Sequence, residues 1–212
     1  MTDLFDMRRD FSLKSLEEKD ITGDPMIFFD QWLDEAIKEQ ALEPNAMVLS
    51  TSTADGKPSS RVVLLKQTKP EGFVFFTNYD SKKGRQLAAD KYCALNFVWH
   101  ELERQVRIEG IAEKLPEEES DRYFEVRPEG SKLGAWASPQ SRVIPDRVYL
   151  ENLVAMFDEK YKDKPIPRPL NWGGYIVKPT LIEFWQGRKN RLHDRIQYSL
   201  IEDKWLIERL AP

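Results

Sequence analysis

The chain has 212 residues and a mass of 24.8 kDa, with 41% hydrophobic and 32% charged residues, which is enough for one large domain or two small ones and for a core that needs no disulfide. A formal net charge of −4 argues against a general nucleic-acid binder, which carries a basic footprint, but not against a local pocket for a small anion. The longest uninterrupted apolar runs span only a few residues, such as Val62-Val63-Leu64-Leu65, whereas a membrane-spanning helix needs about 18, so none is expected.

Residues 1–20 are highly charged and weakly periodic; they read as a mobile arm or a short helix, ahead of a single domain over 21–212. The opening MTDLFDMRRDF has no apolar stretch of the kind a secretory signal requires. A helix is predicted over 25–40, with Asp24 as cap, Pro25 at its first position and Phe29, Trp32, Leu33, Ala36 and Ile37 on one face. Strands follow over 46–52, 60–67 and 72–78, with a hairpin-type turn at Asp55-Gly56 and a second turn at Pro70-Glu71-Gly72. A short helix from Ser81 to Ala89 leads to strands over 92–99 and 104–114. Cys93 is the only cysteine. It has no partner for an internal disulfide, which fits a reducing, cytoplasmic setting, and its apolar neighbours indicate a packed thiol rather than a nucleophile.

A helix over 116–126 opens with Pro116 and three glutamates, which complement the positive end of the helix dipole. Another, over 146–162, carries Leu150, Leu153, Val154, Phe157 and Tyr161 on one stripe. The stiff connector Lys164-Pro-Ile-Pro-Arg-Pro169 precedes strands over 173–178, 181–186, 193–200 and 204–210. Four strands alone would expose a sheet face, so they are expected to complete the earlier sheet. Nine strands in short-linked antiparallel groups and four helices predict an α+β fold built on an antiparallel barrel. Neither GxGxxG after a strand nor GxxxxGK[ST] occurs, so the dinucleotide and P-loop folds lack their fingerprints.

Four segments carry candidate chemistry. Asn78-Tyr-Asp-Ser-Lys-Lys-Gly-Arg85 places Lys82, Lys83 and Arg85 in the first turn of a helix, where cations oppose the dipole. Open amides beside those lysines suit an anion, while a solvated basic helix end is the plain alternative. Arg61 and Lys66 flank the apolar centre of a strand. Gln105, Arg107 and Glu109 share one strand face, whose pattern favours a polar outer surface over a ligand site. Arg191, His193 and Arg195, in an extended segment, project from one face at spacing two beside Trp185. Such crowding calls for an anion or acceptor between the cations, or for neutralisation by Asp194 and neighbouring acids. His100, at a strand end, reads as structural. No zinc spacing, GxSxG elbow or Ser/His/Asp set is present, so no metal is expected and a bound cofactor is the natural carrier of any chemistry.

Taken together, Glu183-Phe-Trp-Gln186 and Arg191-Leu-His-Asp-Arg195 resemble the C-terminal signature of the pyridoxamine/pyridoxine 5′-phosphate oxidase family. Arg61-Val-Val-Leu-Leu-Lys66, Phe76-Thr-Asn-Tyr-Asp-Ser-Lys-Lys83, Glu103-Arg-Gln-Val106, Leu133-Gly-Ala-Trp-Ala-Ser-Pro-Gln-Ser141 and the ending Trp205…Arg209-Leu-Ala-Pro212 resemble that family as well, in order along nearly the whole chain. The resemblance implies a split β-barrel homodimer with FMN at the subunit interface. The implied reaction oxidises pyridoxamine or pyridoxine 5′-phosphate to pyridoxal 5′-phosphate, with O2 reduced to H2O2.

By the same resemblance, FMN is held by Arg61, Val62, Val63, Leu64, Leu65, Lys66, Phe76, Thr77, Lys82, Lys83, Gln105, Gln140, Ser141, Trp185 and Arg195, some from the second subunit. The substrate site maps to Arg8, Lys66, Tyr123, Arg127, Ser131, Arg191 and His193. Within it Lys66, Tyr123, Arg127 and Ser131 suit a phosphate, and Arg191 and His193, the catalytic pair, position and polarise the substrate ring. The chain departs from the family where Phe11 stands three residues after Arg8, a position often held by tyrosine; a phenol hydrogen bond is thereby lost. A non-catalytic split-barrel protein binding FMN or pyridoxal 5′-phosphate is the alternative.

Overall fold

The computed structural model describes Phe5 and residues 10–212, and among the described residues the chain forms five α-helices and nine strands. The first helix, α1 (Pro25–Lys38), starts where the Asp24 carboxylate accepts from the Met26 amide at 2.8 Å, with Pro25 at a position whose N–H has no helical partner to lose. Phe28, Phe29, Trp32 and Ala36 form its buried face. The Phe29 ring lies 4.8 Å from Phe73 and 5.0 Å from Phe97, so α1 plugs the barrel with aromatic side chains.

The strands are β1 (Ala46–Ser52), β2 (Pro58–Leu64), β3 (Gln67–Lys69), β4 (Gly72–Asn78), β5 (Tyr92–Trp99), β6 (Arg104–Lys114), β7 (Trp172–Gln186), β8 (Asp194–Ile201) and β9 (Lys204–Arg209). All pairs are antiparallel, in the order β2-β1-β5-β6-β7-β4-β3, with β8 on β7 and β9 on β8. This curled sheet is the α+β antiparallel split barrel that the sequence predicts. Alternation along β5 turns Leu95, Phe97 and Trp99 inward and leaves Val98 exposed. Cys93 packs against the core, and burial pushes its thiol up to about 12.

Two strand boundaries differ from expectation. The predicted strand over 60–67 ends at Leu64, because the chain there changes partner: the Leu65 amide bonds to Asn45 O and the Lys66 amide to Val74 O. Lys66 thus sits at the crossover between β2, which pairs with β1, and β3, which pairs with β4. The segments 173–178 and 181–186 are one strand, β7. Pro179 is tolerated inside it because β4 pairs only with residues 172–177 and β8 only with 181–186, and a bulge at Glu109/Gly110 faces the handover.

The remaining helices are α2 (Lys82–Ala89), α3 (Glu117–Glu125), α4 (Glu129–Ala137) and α5 (Arg147–Tyr161). The sequence reading does not contain α4, whose two glycines and preceding Pro128 suggest a loop. Nor is the predicted stripe of α5 a core face: no residue of that helix is buried. Its Phe157 and Tyr161 rings instead lie 5.6 and 5.5 Å from Trp136 of α4. No helix is long and apolar enough to cross a membrane among the described residues.

Candidate functional site

The crossover at Lys66, the C-terminal half of β4, the start of α2 and the α3–α4 junction enclose a cleft of about 490 Å³. Lys66, Lys83, Arg127, Tyr123, Ser131, Thr77 and Gln140 line it, together with Val62, Val63, Leu64 and Phe76; no carboxylate does. Aromatic stacking builds one wall: Phe76 and Tyr123 lie 3.9 Å apart at 16°, and Phe76 and Trp172 lie 5.5 Å apart at 10°. The Arg127 guanidinium sits 4.4 Å over the Trp172 ring, and its Nη1 is buried without a hydrogen-bond partner. A buried guanidinium nitrogen left without an acceptor is costly unless a ligand supplies one.

Lys83 is placed by α2. Ser81 caps that helix by accepting from the Gly84 amide at 3.2 Å. The same first turn sets the Lys83 ammonium against neutral oxygens only: Thr77 Oγ1 at 3.1 Å and Gln140 Oε1 at 3.0 Å. Burial, and then the nearby Arg61 charge, lower its pKa to about 8. Arg61 itself does not line the cleft. Its guanidinium donates to Leu49 O at 3.0 Å and to Thr51 Oγ1 at 2.6 Å, so it acts on the cleft through its charge.

Gln105, Trp185, Arg195, Arg191 and His193 form a second group, away from this cleft. Gln105 faces Trp185 across β6 and β7, and Trp185 faces Arg195 across β7 and β8. Gln105 and Trp185 line a separate cavity of about 260 Å³. The His193 ring lies 4.5 Å from Trp185, and its Nδ1 accepts from the Arg188 amide at 3.1 Å. With Nδ1 an acceptor, the neutral imidazole carries its proton on Nε2 and presents a donor there. Desolvation, then the Arg191 charge, lower the His193 pKa, against the opposing pull of Asp194.

Several expectations need correction. Arg191 is not in an extended segment: it ends a 3₁₀ turn over Lys189–Arg191, with φ of 61°, while the strand starts at Asp194. The aligned triplet of cations is therefore a turn residue, a pre-strand residue and a strand residue. Arg195 is already neutralised: Glu183 accepts from its Nε at 2.8 Å and its Nη2 at 3.0 Å, and also pairs with Arg107 at 3.0 Å. In the single chain Leu65 packs into the core, and Lys82 and Ser141 are exposed outside the lining of this cleft, so their expected contacts with FMN belong to the proposed homodimer. Arg8 lies outside the described residues. Sequence reasoning missed Trp172, Asn78, Val126 and Pro128 as lining residues. It also missed Glu183 as the partner of Arg195, although spacing two from Trp185 puts Glu183 on that face. Among the described residues no cluster of three or more His, Cys, Asp or Glu is arranged to hold a metal.

Comparison with known proteins gives a consistent picture. The family described as "Pyridoxamine 5'-phosphate oxidase" matches residues 33–157, and the "Pyridoxine 5'-phosphate oxidase C-terminal dimerisation region" matches residues 172–212. A pyridoxine/pyridoxamine 5′-phosphate oxidase of Burkholderia multivorans is 55% identical, with 100% of both chains covered. One of Cyanothece sp. is 52% identical over 98% of this chain and 97% of its own. Among solved structures, PhzG from Burkholderia lata, in complex with tetrahydrophenazine-1-carboxylic acid, superposes with a TM-score of 0.90 at 30% identity, covering 96% of this chain and 100% of its own. A pyridoxamine 5′-phosphate oxidase-related, FMN-binding protein from Nostoc punctiforme shares the fold, with a TM-score of 0.70 at 15% identity over 87% of this chain and 97% of its own.

Proposed function

Because the chain belongs to the pyridoxamine 5′-phosphate oxidase family, we propose that it oxidises pyridoxine or pyridoxamine 5′-phosphate to pyridoxal 5′-phosphate as an FMN-containing homodimer. The observation that carries this reading is the acid-free cleft. Lys66, Lys83 and Arg127 share it with three hydroxyl side chains and no carboxylate. Cations gathered without a counter-charge are electrostatically unfavourable unless an anion completes the set, and a phosphate has the charge and acceptor count to do so.

The residues divide between two phosphates. Lys83, Thr77 and Gln140, with the Arg61 charge behind them, suit the phosphate of FMN, and Val62, Val63 and Leu64 line the cleft beside them. Lys66, Tyr123, Arg127 and Ser131 suit the phosphate of the substrate, whose ester would satisfy the partnerless Nη1 of Arg127. Phe76 and Trp172 supply flat apolar surface. When bound, FMN supplies the two-electron acceptor that O2 reoxidises to release H2O2. Arg191 and His193 orient the substrate ring, with His193 Nε2–H as a hydrogen-bond donor to the hydroxyl oxygen on that ring. In the homodimer, Gln105, Trp185, Arg195, Arg191 and His193 of one subunit face the cleft of the other, joining the two groups that a single chain keeps apart.

The deciding assay measures peroxide and pyridoxal 5′-phosphate from each substrate, with and without added FMN. One H2O2 per pyridoxal 5′-phosphate is expected from both, with one NH3 besides from the amine. Protein that binds FMN yet forms no peroxide from either substrate would instead be a non-catalytic binder.

A further inference from the structure

The segment Phe11–Leu16 is fastened to the barrel beside His193 at both ends. At one end a single oxygen, Glu103 Oε2, accepts from the Ser12 amide at 2.7 Å and the Leu13 amide at 3.0 Å. Hydrogen bonds to a carboxylate are charge-assisted, and Glu103 is only 4% exposed, so water competes weakly for them. The backbone of Glu103 is left-handed, with φ of 54°, and its carbonyl accepts from the Gly187 amide at 2.8 Å and from Gln186 Nε2 at 3.2 Å. Glu103 thereby ties three pieces of chain together: the segment ahead of α1, the start of β6 and the end of β7. At the other end the Leu16 amide donates to Asp194 Oδ2 at 3.1 Å, and Arg209 Nη2 donates to Leu16 O at 2.9 Å.

Between these fastenings the Phe11 ring stands edge-on to two others. Its centroid is 5.8 Å from Trp185 at 86° and 5.8 Å from His193 at 69°. Gly187 makes the space: a Cβ there would lie 2.8 Å from both Cβ and Cγ of Phe11. Phenylalanine brings no hydrogen bond, so what it gives the imidazole is a fixed apolar neighbour and less water. Among the described residues, the charged groups around that ring are Arg191, Asp194 and Arg188, with Arg209 bridged through Asp194.

We propose that Glu103 is a positioning residue for the oxidase reaction: by gripping the Ser12 and Leu13 amides it seats Phe11 against Trp185 and His193, and so holds the imidazole in place for the substrate ring. For turnover this rests on the oxidase reading given above; for the seat itself it rests on geometry alone.

The test uses FMN-loaded protein, with rates normalised to bound flavin. Glu103→Ala and Phe11→Ala should each lower kcat/KM for pyridoxine 5′-phosphate by about tenfold, and the double variant should fall no further than the worse single one. Phe11→Leu should recover part of the loss. The chain has only two histidines, so the imidazole NMR signals of His193 are assigned by comparison with His100→Asn. In Glu103→Ala and Phe11→Ala the His193 titration should move up in pH by the same amount, as water returns to the ring. If Glu103→Ala does not fold, Gly187→Ala keeps the carboxylate and crowds out Phe11, with a lesser press on the Glu103 Cβ at 3.1 Å, and it should give the same two changes. Losses that multiply in the double variant, or a His193 titration unmoved by Glu103→Ala or Gly187→Ala, overturn the proposal. Wild-type protein that forms no peroxide sinks the oxidase reading, while the titration still decides the seat.

Discussion

Lys83 shows how a single ammonium couples folding, ligand binding and pH. Its pKa is lowered from the ordinary 10.5 to about 8, so between those values the unfolded chain holds more protons than the folded one. The penalty of burying the charge is therefore fully present below about pH 8 and fades as pH rises toward 10.5. A phosphate reverses the preference by favouring the charged form. FMN binding near pH 8.5 should then take up a proton, and affinity should fall by at most about tenfold per pH unit above 8. Calorimetry in two buffers of different ionisation enthalpy measures the uptake; Lys83→Met should abolish it, and no uptake in the wild type would remove Lys83 from the phosphate site. Glu183 makes the opposite case, a nearly buried acid shared by Arg195 and Arg107. Its hydrogen bonds are the main cause of the raised Arg195 pKa. Glu183→Gln leaves two guanidiniums without their counter-charge; because both arginines are partly exposed, the expected cost is about 1–3 kcal/mol in urea unfolding, below that of a fully buried pair.

At the scale of elements, α2 depends on one missing side chain. A Cβ on Gly84 would overlap the Tyr79 carbonyl. Gly84→Ala, which in an open helix gains about 1 kcal/mol, should here lift the helix start, cost about 2 kcal/mol and weaken FMN binding. Thermal unfolding together with flavin titration checks both effects, and a stabilised variant with unchanged affinity would refute the argument. Elements whose pattern and partners agree were legible from the sequence. β1, β4, β5 and β6 have the predicted limits because each carries its alternation or apolar run up to a turn residue. Legibility failed where tertiary context overrides local grammar. Pro179 lies within β7 because two partner strands change over at that point, and α4 forms despite Gly130 and Gly134. The α5 stripe follows helical periodicity perfectly well, but periodicity alone does not say what covers it. The cleft was legible through the motifs around Lys66 and Lys83. The acid that neutralises Arg195, Glu183, was not, since charge spacing along one strand is silent about a carboxylate on the next.

On the scale of the whole molecule, one chain holds the two halves of the candidate site apart, and several apolar groups lack cover. Val62 is 64% exposed on the outermost strand β2, and Leu64 on the same strand is 38% exposed. The homodimer proposed above would account for both, in keeping with the match to a dimerisation region over residues 172–212. Sedimentation equilibrium should give twice the chain mass of 24.8 kDa. A sharper check combines a cleft defect, Lys83→Glu, with a defect in the other half, His193→Asn. Each alone should be nearly inactive, yet co-expression should restore about a quarter of wild-type activity, since half of the dimers are mixed and each of these keeps one intact site. No recovery would mean that the halves do not meet across subunits. One last trait is useful at the bench. The lone sulfhydryl at Cys93, with its ionisation displaced to about 12, is a poor target for maleimides at neutral pH. A cysteine substituted for Met156 on the exposed side of α5 would then accept a dye or spin label selectively, giving a ruler for subunit separation without first deleting a native residue.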